Sequence, residues 1–291
     1  MTIQELERKL QDVEKKLKDA DLEAAFFEEL KRYTGEDEVI PSTDIPGILE
    51  KATPRMNLGI HDIDTLTGGF GEENLVVISG PTGQGKTLLA QNMTAWLAKK
   101  EHKTLWFSFE MSLSELYERF QAFDYTPVFY TPKTNVSRSM VWLERKIVEA
   151  IVKYQTNFVV IDHTHYLFNM QNAGENTSLY LGDIIRQLKL IARKYKIVVI
   201  LIHHLKKTDI LEGPTIDDLR DSSFVAQEAD YVLMVWRKPI KTSRRQILTE
   251  GINYTNDMLV SVVKNRHYGK LGTVTLVYNN GNLTQAYVGA E

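Results

Sequence analysis

The chain has no cysteine among its 291 residues. That excludes disulfide frameworks, thiolate zinc sites and thiol nucleophiles together, and it agrees with a reducing compartment. Long apolar runs are missing too. None reaches the roughly 18–20 residues that a membrane-crossing helix needs, and the opening MTIQELERKL has no apolar signal core behind its charges. Both gaps point to a cytoplasmic chain that is neither inserted in a membrane nor secreted. Nor is there a surplus of positive charge: 35 Lys and Arg against 38 Asp and Glu leave a net charge of -3. Any polyanion must therefore be held by a local site, not by a basic surface. Internal repeats and low-complexity segments are absent, and what remains has the balance of an ordinary globular chain.

From Ile3 the apolar positions Leu6, Leu10, Val13, Leu17 and Ala20 follow at alternating spacings of three and four, with charges on the other faces. This narrow heptad-like stripe predicts a helix, either docked on its own domain or serving as an arm for a partner subunit. A second short helical pattern (Leu22, Phe26, Leu30, Tyr33) runs into the turn-rich GEDEVIPSTDIP, which reads as a linker. Residues 1–52 are thus expected to form a helical arm and linker, and residues 53–291 the main domain. There, short apolar runs at Leu75 to Ser79, Thr104 to Phe109, Phe158 to Ile161, Ile197 to Ile202 and Tyr231 to Trp236 alternate with helical patterns at Leu88 to Lys99, Ser112 to Ala122, Val141 to Tyr154 and Leu179 to Tyr195. Buried strands separated by helices mean an α/β, doubly wound, mainly parallel sheet. The last strands, Met258 to Lys264, Thr273 to Tyr278 and Leu283 to Tyr287, have only turns between them and predict antiparallel hairpins at the sheet edge.

Directly after the first strand comes GPTGQGKT, Gly80 to Thr87, a complete P-loop (G-x-x-x-x-G-K-[ST]) with a helix opening behind it at Leu88. The backbone N–H groups of Gly80, Pro81, Thr82, Gly83, Gln84 and Gly85, proline excepted, can turn inward on phosphates. Lys86 would neutralise the β/γ-phosphates of ATP, and the Thr87 hydroxyl would ligate Mg²⁺. Asp162 closes the apolar strand FVVI and is placed to act on Mg²⁺ through water. The residue after it is His163, not the water-activating Glu of many transporter ATPases. A Glu does stand at the end of the preceding strand: Glu110, in LWFSFEM, would reach the γ-phosphate if that strand lies next to the P-loop strand, as in RecA-type motors. An ordinary helix-start carboxylate before Ser112 is the alternative. His163 and His165 could share a face as a zinc pair. His203 and His204, adjacent on a strand, could not.

The ordered set GIHDIDTLTGGF, GPTGQGKT, FSFEM, VVIDH, ENTSLYLGDIIRQLKLIARKYKIVVI, HLKK, TIDDLRDSSFVAQEADYVLMVWR and VKNRHYGKLGTV resembles the motor domain of hexameric DnaB-type replicative helicases, with wording similar to phage primase-helicases and mitochondrial Twinkle. The resemblance covers roughly Leu58 to Tyr287. It implies a RecA-like P-loop NTPase fold and an ATP-driven homo-oligomer, a hexameric ring, that moves 5′ to 3′ on single-stranded DNA during replication. It makes His204 a γ-phosphate sensor, and it makes Lys264 and Arg266, two apart on a strand, the pair that reaches a neighbouring subunit's nucleotide. Solvated edge-strand cations are the alternative for that pair. Loops after the strands, Thr164 to Ser178 and Leu205 to Asp218 with Lys206 and Lys207, would line a DNA channel. Arg220 matches the family's DLR-x-S, although Ser223 replaces the glycine usually next in line. Arg237 and Tyr278 match an Arg and a Tyr that bracket a base, and are expected among the DNA contacts. Tyr278 could equally be an edge tyrosine. Relatives carry a further N-terminal domain, helical or primase, that about 50 residues cannot hold. The chain is therefore a truncated or a minimal helicase, with no readable primase or loader contact. Competing readings are a DNA-pairing recombinase and a switch ATPase that never moves.

Overall fold

The fold was read from a computed structural model that describes residues 3–35, 38–49, 54–135, 139–163, 177–205, 213–216, 218–219, 223–240 and 253–286. Contacts divide the chain into two units, 1–52 and 53–291. In the first, α1 (Ile3–Leu30) is followed by a short α2 (Ile45–Leu49). Helix α1 runs through where the sequence suggested two helices, because no glycine or proline stands before Gly35 and a mid-helix Asp opposes helix only mildly. Helix α2 falls partly in the expected linker. Its proline, Pro46, sits in the first turn, where a missing N–H costs nothing.

The second unit begins with α3 (His61–Thr67), β1 (Leu75–Gly80), α4 (Lys86–Ala98), β2 (Thr104–Ser108) and α5 (Leu113–Gln121). It continues with α6 (Met140–Tyr154), β3 (Phe158–Asp162), α7 (Thr177–Lys194), β4 (Val198–His204), α8 (Ser223–Glu228) and β5 (Tyr231–Pro239). The hairpin strands β6 (Tyr254–Asn265), β7 (Gly272–Asn279) and β8 (Asn282–Gln285) close it. They form one eight-stranded sheet in the order β2-β3-β4-β1-β5-β6-β7-β8. It is parallel from β2 to β5 and antiparallel beyond. The expected α/β doubly wound sheet with C-terminal hairpins is what the chain forms. Most bounds lie within two residues of those read from the sequence. The main exception, β6, starts at Tyr254 because β5 extends to Pro239 and pairs with it. Tyr287, the expected end of β8, lies outside the described residues.

Period-two alternation builds both cores at once. On β1, Val76 and Ile78 face a cluster with Leu89 and Met93 of α4 and Leu116 and Phe120 of α5. Leu75 and Val77 face the other, with Ile147 of α6 and Ile185 and Leu188 of α7. Trp106 anchors the first cluster. It is wholly buried, meets Phe120 edge-on at 5.6 Å, and donates from Nε1 to the Thr94 hydroxyl at 2.9 Å. Satisfying that N–H is what lets an indole sit in a core.

Register sets the two ends of the sheet. Gly80 pairs with His204 and Ser108 with Asp162, so these residues share the carboxyl edge of the parallel strands. At the opposite edge the Asp230 carboxylate accepts from Leu75 N at 2.7 Å and from Lys189 Nζ at 2.6 Å. Its backbone O accepts from Arg266 N at 2.9 Å.

Candidate nucleotide site

Two close approaches explain why the loop after β1 must be rich in glycine. A Cβ on Gly80 would lie 2.1 Å from the Val235 carbonyl oxygen, and one on Gly85, at φ 96°, would lie 2.3 Å from Met258 Cε. Among the described residues no side chain caps the amino end of α4, so its first N–H groups are placed to meet an anion. Lys86 is buried and donates to the carbonyls of Gly80 and Pro81, both at 2.9 Å. Burial lowers its pKa to about 8, against the pull of Asp162 and Glu110. The loop's own carbonyls hold the ammonium beside the helix end that would meet a phosphate.

Asp162 ends β3 fully buried. Its Oδ2 accepts from the Thr87 hydroxyl at 2.8 Å, while Oδ1 has no hydrogen-bond partner among the described residues. Burial raises its pKa to about 6; the Thr87 hydrogen bond opposes that rise and Glu110 adds to it. An orphaned buried acceptor beside a hydroxyl fits a hard cation that keeps much of its water, so the donor set suits Mg²⁺.

The pKa shift gives a stability prediction. A carboxyl whose folded pKa lies above its ordinary 3.8 contributes its full stability below 3.8 and loses it as pH rises through about 6. Asp162→Asn should therefore stabilise the nucleotide-free protein by about 2 kcal/mol, or about 4–8 °C in Tm, near pH 8. Less than half of that gain should remain near pH 4.5. Thermal melts at the two pH values check it, and an equal gain at both would refute burial of the charge as the cause.

Glu110 arrives by a route different from the expected one. Strand β2 does not neighbour β1 but is the far edge strand, separated from it by β3 and β4. The chain turns back over β3 beyond Ser108: Phe109 N donates to Asp162 O at 2.7 Å, and the Ser108 hydroxyl to Met111 O at 3.0 Å. Glu110 Oε2 then lies 3.3 Å from His163 Nδ1 and 3.9 Å from His204 Nε2. The capping-box carboxylate of α5 is Glu115, paired with the N-cap Ser112, so Glu110 is not the helix-start cap. His163 meets the ring of His204 edge-on at 4.2 Å. The proposed zinc pairing of His163 with His165 lies outside the described residues at its second member. His203 is buried and His204 partly exposed, as alternate facing requires.

Arg237 and Tyr278, expected among the DNA contacts, line a cavity of about 690 Å³ with Gly83, Gly85, Leu88 and Arg119. Arg237 N donates to Gln84 Oε1 at 2.9 Å, and its guanidinium donates to Thr255 O at 3.0 Å and lies over the Tyr254 ring. The hairpins fold over the P-loop, so these residues flank it. Arg119 was missed by the sequence reading. It lines the cavity and acts electrostatically on Asp162. Its one signal was a cation in the last turn of the helix that follows Glu110.

Lys264 and Arg266 do project together, both donating to the carbonyl of Gln227. Burial, then Arg266, lowers the Lys264 pKa. Arg266 also meets Asp230 Oδ1 at 3.4 Å. Asn265 pairs with Tyr231, and Tyr231 with Val76, so the two cations lie at the amino edge of the sheet, four strand residues from Gly80. That is roughly 13 Å along the strand. They are not brought to their own P-loop. Lys206, Lys207 and Arg220 lie outside the described residues.

Among the described residues no helix is long and apolar enough to cross a membrane. Residues 56–126 and 121–285 match the family described as DnaB-like helicase C terminal domain. A probable replicative DNA helicase of Trieres chinensis is 27% identical over 258 residues, 77% of this chain and 55% of the relative. The replicative DNA helicase DnaB of Mycoplasma pneumoniae is 25% identical over 272 residues, 79% of this chain and 56% of the relative. The chain thus spans about half the length of these curated relatives. Among solved structures, one described as an ATPase domain superposes with a TM-score of 0.68 at 20% identity, covering 84% of this chain and 96% of that one. A DnaB-like replicative helicase, described with its interactions with primase, gives 0.69 at 19% identity, covering 95% and 74%. Matched from Met56 to Gln285, with the fold of those two structures, the chain belongs to the DnaB-like helicase C-terminal domain family.

Proposed function

We propose that this chain is the ATP-driven motor of a hexameric, cytoplasmic replicative helicase that translocates 5′ to 3′ on single-stranded DNA. The observation that carries this reading is the division of the site. Lys86, Thr87, Asp162, Glu110 and His204 share one edge of the sheet, and the pair Lys264 and Arg266 is fixed at the other. A chain with half of a nucleotide site at each edge completes it only by stacking on copies of itself, which a closed ring does for every member.

In that reading Lys86 exchanges the Gly80 and Pro81 carbonyls for the β/γ-phosphates. Glu110, beside His163 and His204, accepts the proton of the attacking water. His204, two residues before Lys206 at the mouth of the next loop, reports the γ-phosphate to the strand-gripping segment. When bound, Mg²⁺, held by Thr87 and by Asp162 through water, would neutralise phosphate charge. Arg266 of the next subunit would stabilise charge on the transferring phosphoryl group. Lys206, Lys207 and Arg220 are the proposed DNA contacts, and a primase or loader is a proposed partner.

Arg237 and Tyr278 are reassigned from DNA to the nucleotide base. Tyr278→Ala should raise the KM for ATP about tenfold while leaving kcat within about twofold, since a stacking contact is worth about 1–3 kcal/mol per base. Loss of DNA affinity at unchanged KM would return Tyr278 to the DNA path.

Imaging particles with an ATP analogue and an oligonucleotide, together with ATPase assays with and without single-stranded DNA, tests the whole reading. Closed rings and DNA-stimulated hydrolysis are expected. Filaments would favour a recombinase, and indifference to DNA a switch ATPase.

A further inference from the structure

We propose that Glu110, His163 and His204 form a binding site for a divalent transition ion of the zinc class, and that occupancy of this site arrests ATP turnover. The site itself rests on geometry alone. The arrest rests on the catalytic reading of Glu110 given above.

Three adjacent strands deliver one ligand each at the carboxyl edge of the sheet: Glu110 from beyond β2, His163 from beyond β3 and His204 from the end of β4. One donor atom from each residue lies within 4.8 Å of the other two. A tetrahedral zinc ion with bonds of about 2.0–2.1 Å holds its ligand atoms roughly 3.3 Å apart. The Glu110 Oε2 to His163 Nδ1 edge is already 3.3 Å. The Glu110 Oε2 to His204 Nε2 edge is 3.9 Å, so closing it takes a shift of roughly 0.6 Å. The third edge, between the two imidazole donors, is no longer than 4.8 Å, and of the three ligands Glu110 is the most exposed, with 47% of its side chain open to solvent.

The donor set chooses the ion. Two imidazoles and one carboxylate suit zinc and its neighbours in the transition series, whereas Mg²⁺ prefers oxygen ligands and retained water. The ion expected here is therefore chemically distinct from the one that Thr87 and Asp162 would hold. Three protein ligands also leave a fourth position open to water.

A bound ion takes the Glu110 carboxylate and the His204 imidazole away from the attacking water and the γ-phosphate. It leaves Lys86, Thr87 and the P-loop glycines untouched. Arrest should therefore lower kcat at unchanged KM for ATP, and be reversed by a chelator.

The test uses the full chain without an affinity tag. Zn²⁺ alone is titrated against a chromophoric chelator in the absence of nucleotide, and Co²⁺ is used to read coordination from its visible absorption. One equivalent should bind, with the intense absorption of a tetrahedral site. His163→Ala, His204→Gln and Glu110→Gln should each weaken binding at least tenfold, while His61→Ala, outside the site, should not. Thermal melts establish that each variant is folded, and His204→Gln, at the more exposed position, covers the case in which His163→Ala is not. Stoichiometric binding unaffected by all three substitutions, or no binding at all, would overturn the site. Binding that the substitutions abolish, with ATP turnover unaffected at saturating Zn²⁺, would uphold the site and overturn the catalytic placement of Glu110.

Discussion

Glu110→Gln should bind ATP as the parent does and hydrolyse it about 10²–10⁴-fold more slowly under saturating single-stranded DNA. The amide keeps the shape of the carboxylate but cannot take a proton, so the loss falls on kcat. Lys86→Ala should fail earlier and lose measurable nucleotide binding, because the ammonium that would leave the Gly80 and Pro81 carbonyls to pair with the phosphates is gone. Equilibrium binding of a fluorescent ATP analogue, beside steady-state hydrolysis, separates the two phenotypes. Parental turnover in Glu110→Gln would sink the assignment of the base.

Arg266→Ala should be nearly inactive alone, with hydrolysis down about 10³–10⁵-fold if the guanidinium acts as a finger in trans. Mixing it with Lys86→Ala subunits should restore part of that activity. Where an intact P-loop meets an intact Arg266, a complete site forms from two defective chains. The position of Arg266, at the sheet edge away from its own P-loop, leaves little room for a role in cis. Its contacts with Asp230 and Gln227 make a structural role the rival. That rival predicts lowered melting temperature and no recovery at any mixing ratio.

Much of this site was legible because P-loop chemistry is contiguous. Gly80 to Thr87, the strand before them and the helix after them need only local pattern, and Asp162 needs only an apolar run that ends on an acid. Glu110 was legible as a residue but not as a position. Its reach depended on a strand beside β1, yet among the described strands β2 pairs with β3, and pairing between distant strands leaves no mark on local periodicity. The same limit explains Arg237 and Tyr278. Both stand near the ends of their strands, and only the folding of the hairpins over the P-loop puts them around the cavity. The packing of His163 on His204 joins residues 41 positions apart and was not foreseen. Arg119 was overlooked because an arginine in the last turn of an amphipathic helix resembles any other solvated cation.

One strand runs between the two halves of the proposed chemistry. At its start β5 follows Asp230, which holds Arg266. Six residues on, Arg237 N is fastened to Gln84 of the P-loop. A central strand hydrogen-bonded to β1 and β6 over most of that length, roughly 20 Å, behaves as a stiff rod. In the proposed ring, each rod would have its own subunit's nucleotide at one tip and the neighbour's at the other. Loading or emptying one pocket of the proposed ring would therefore push on the next through backbone, and the order of firing would be kept even where no DNA is present to enforce it.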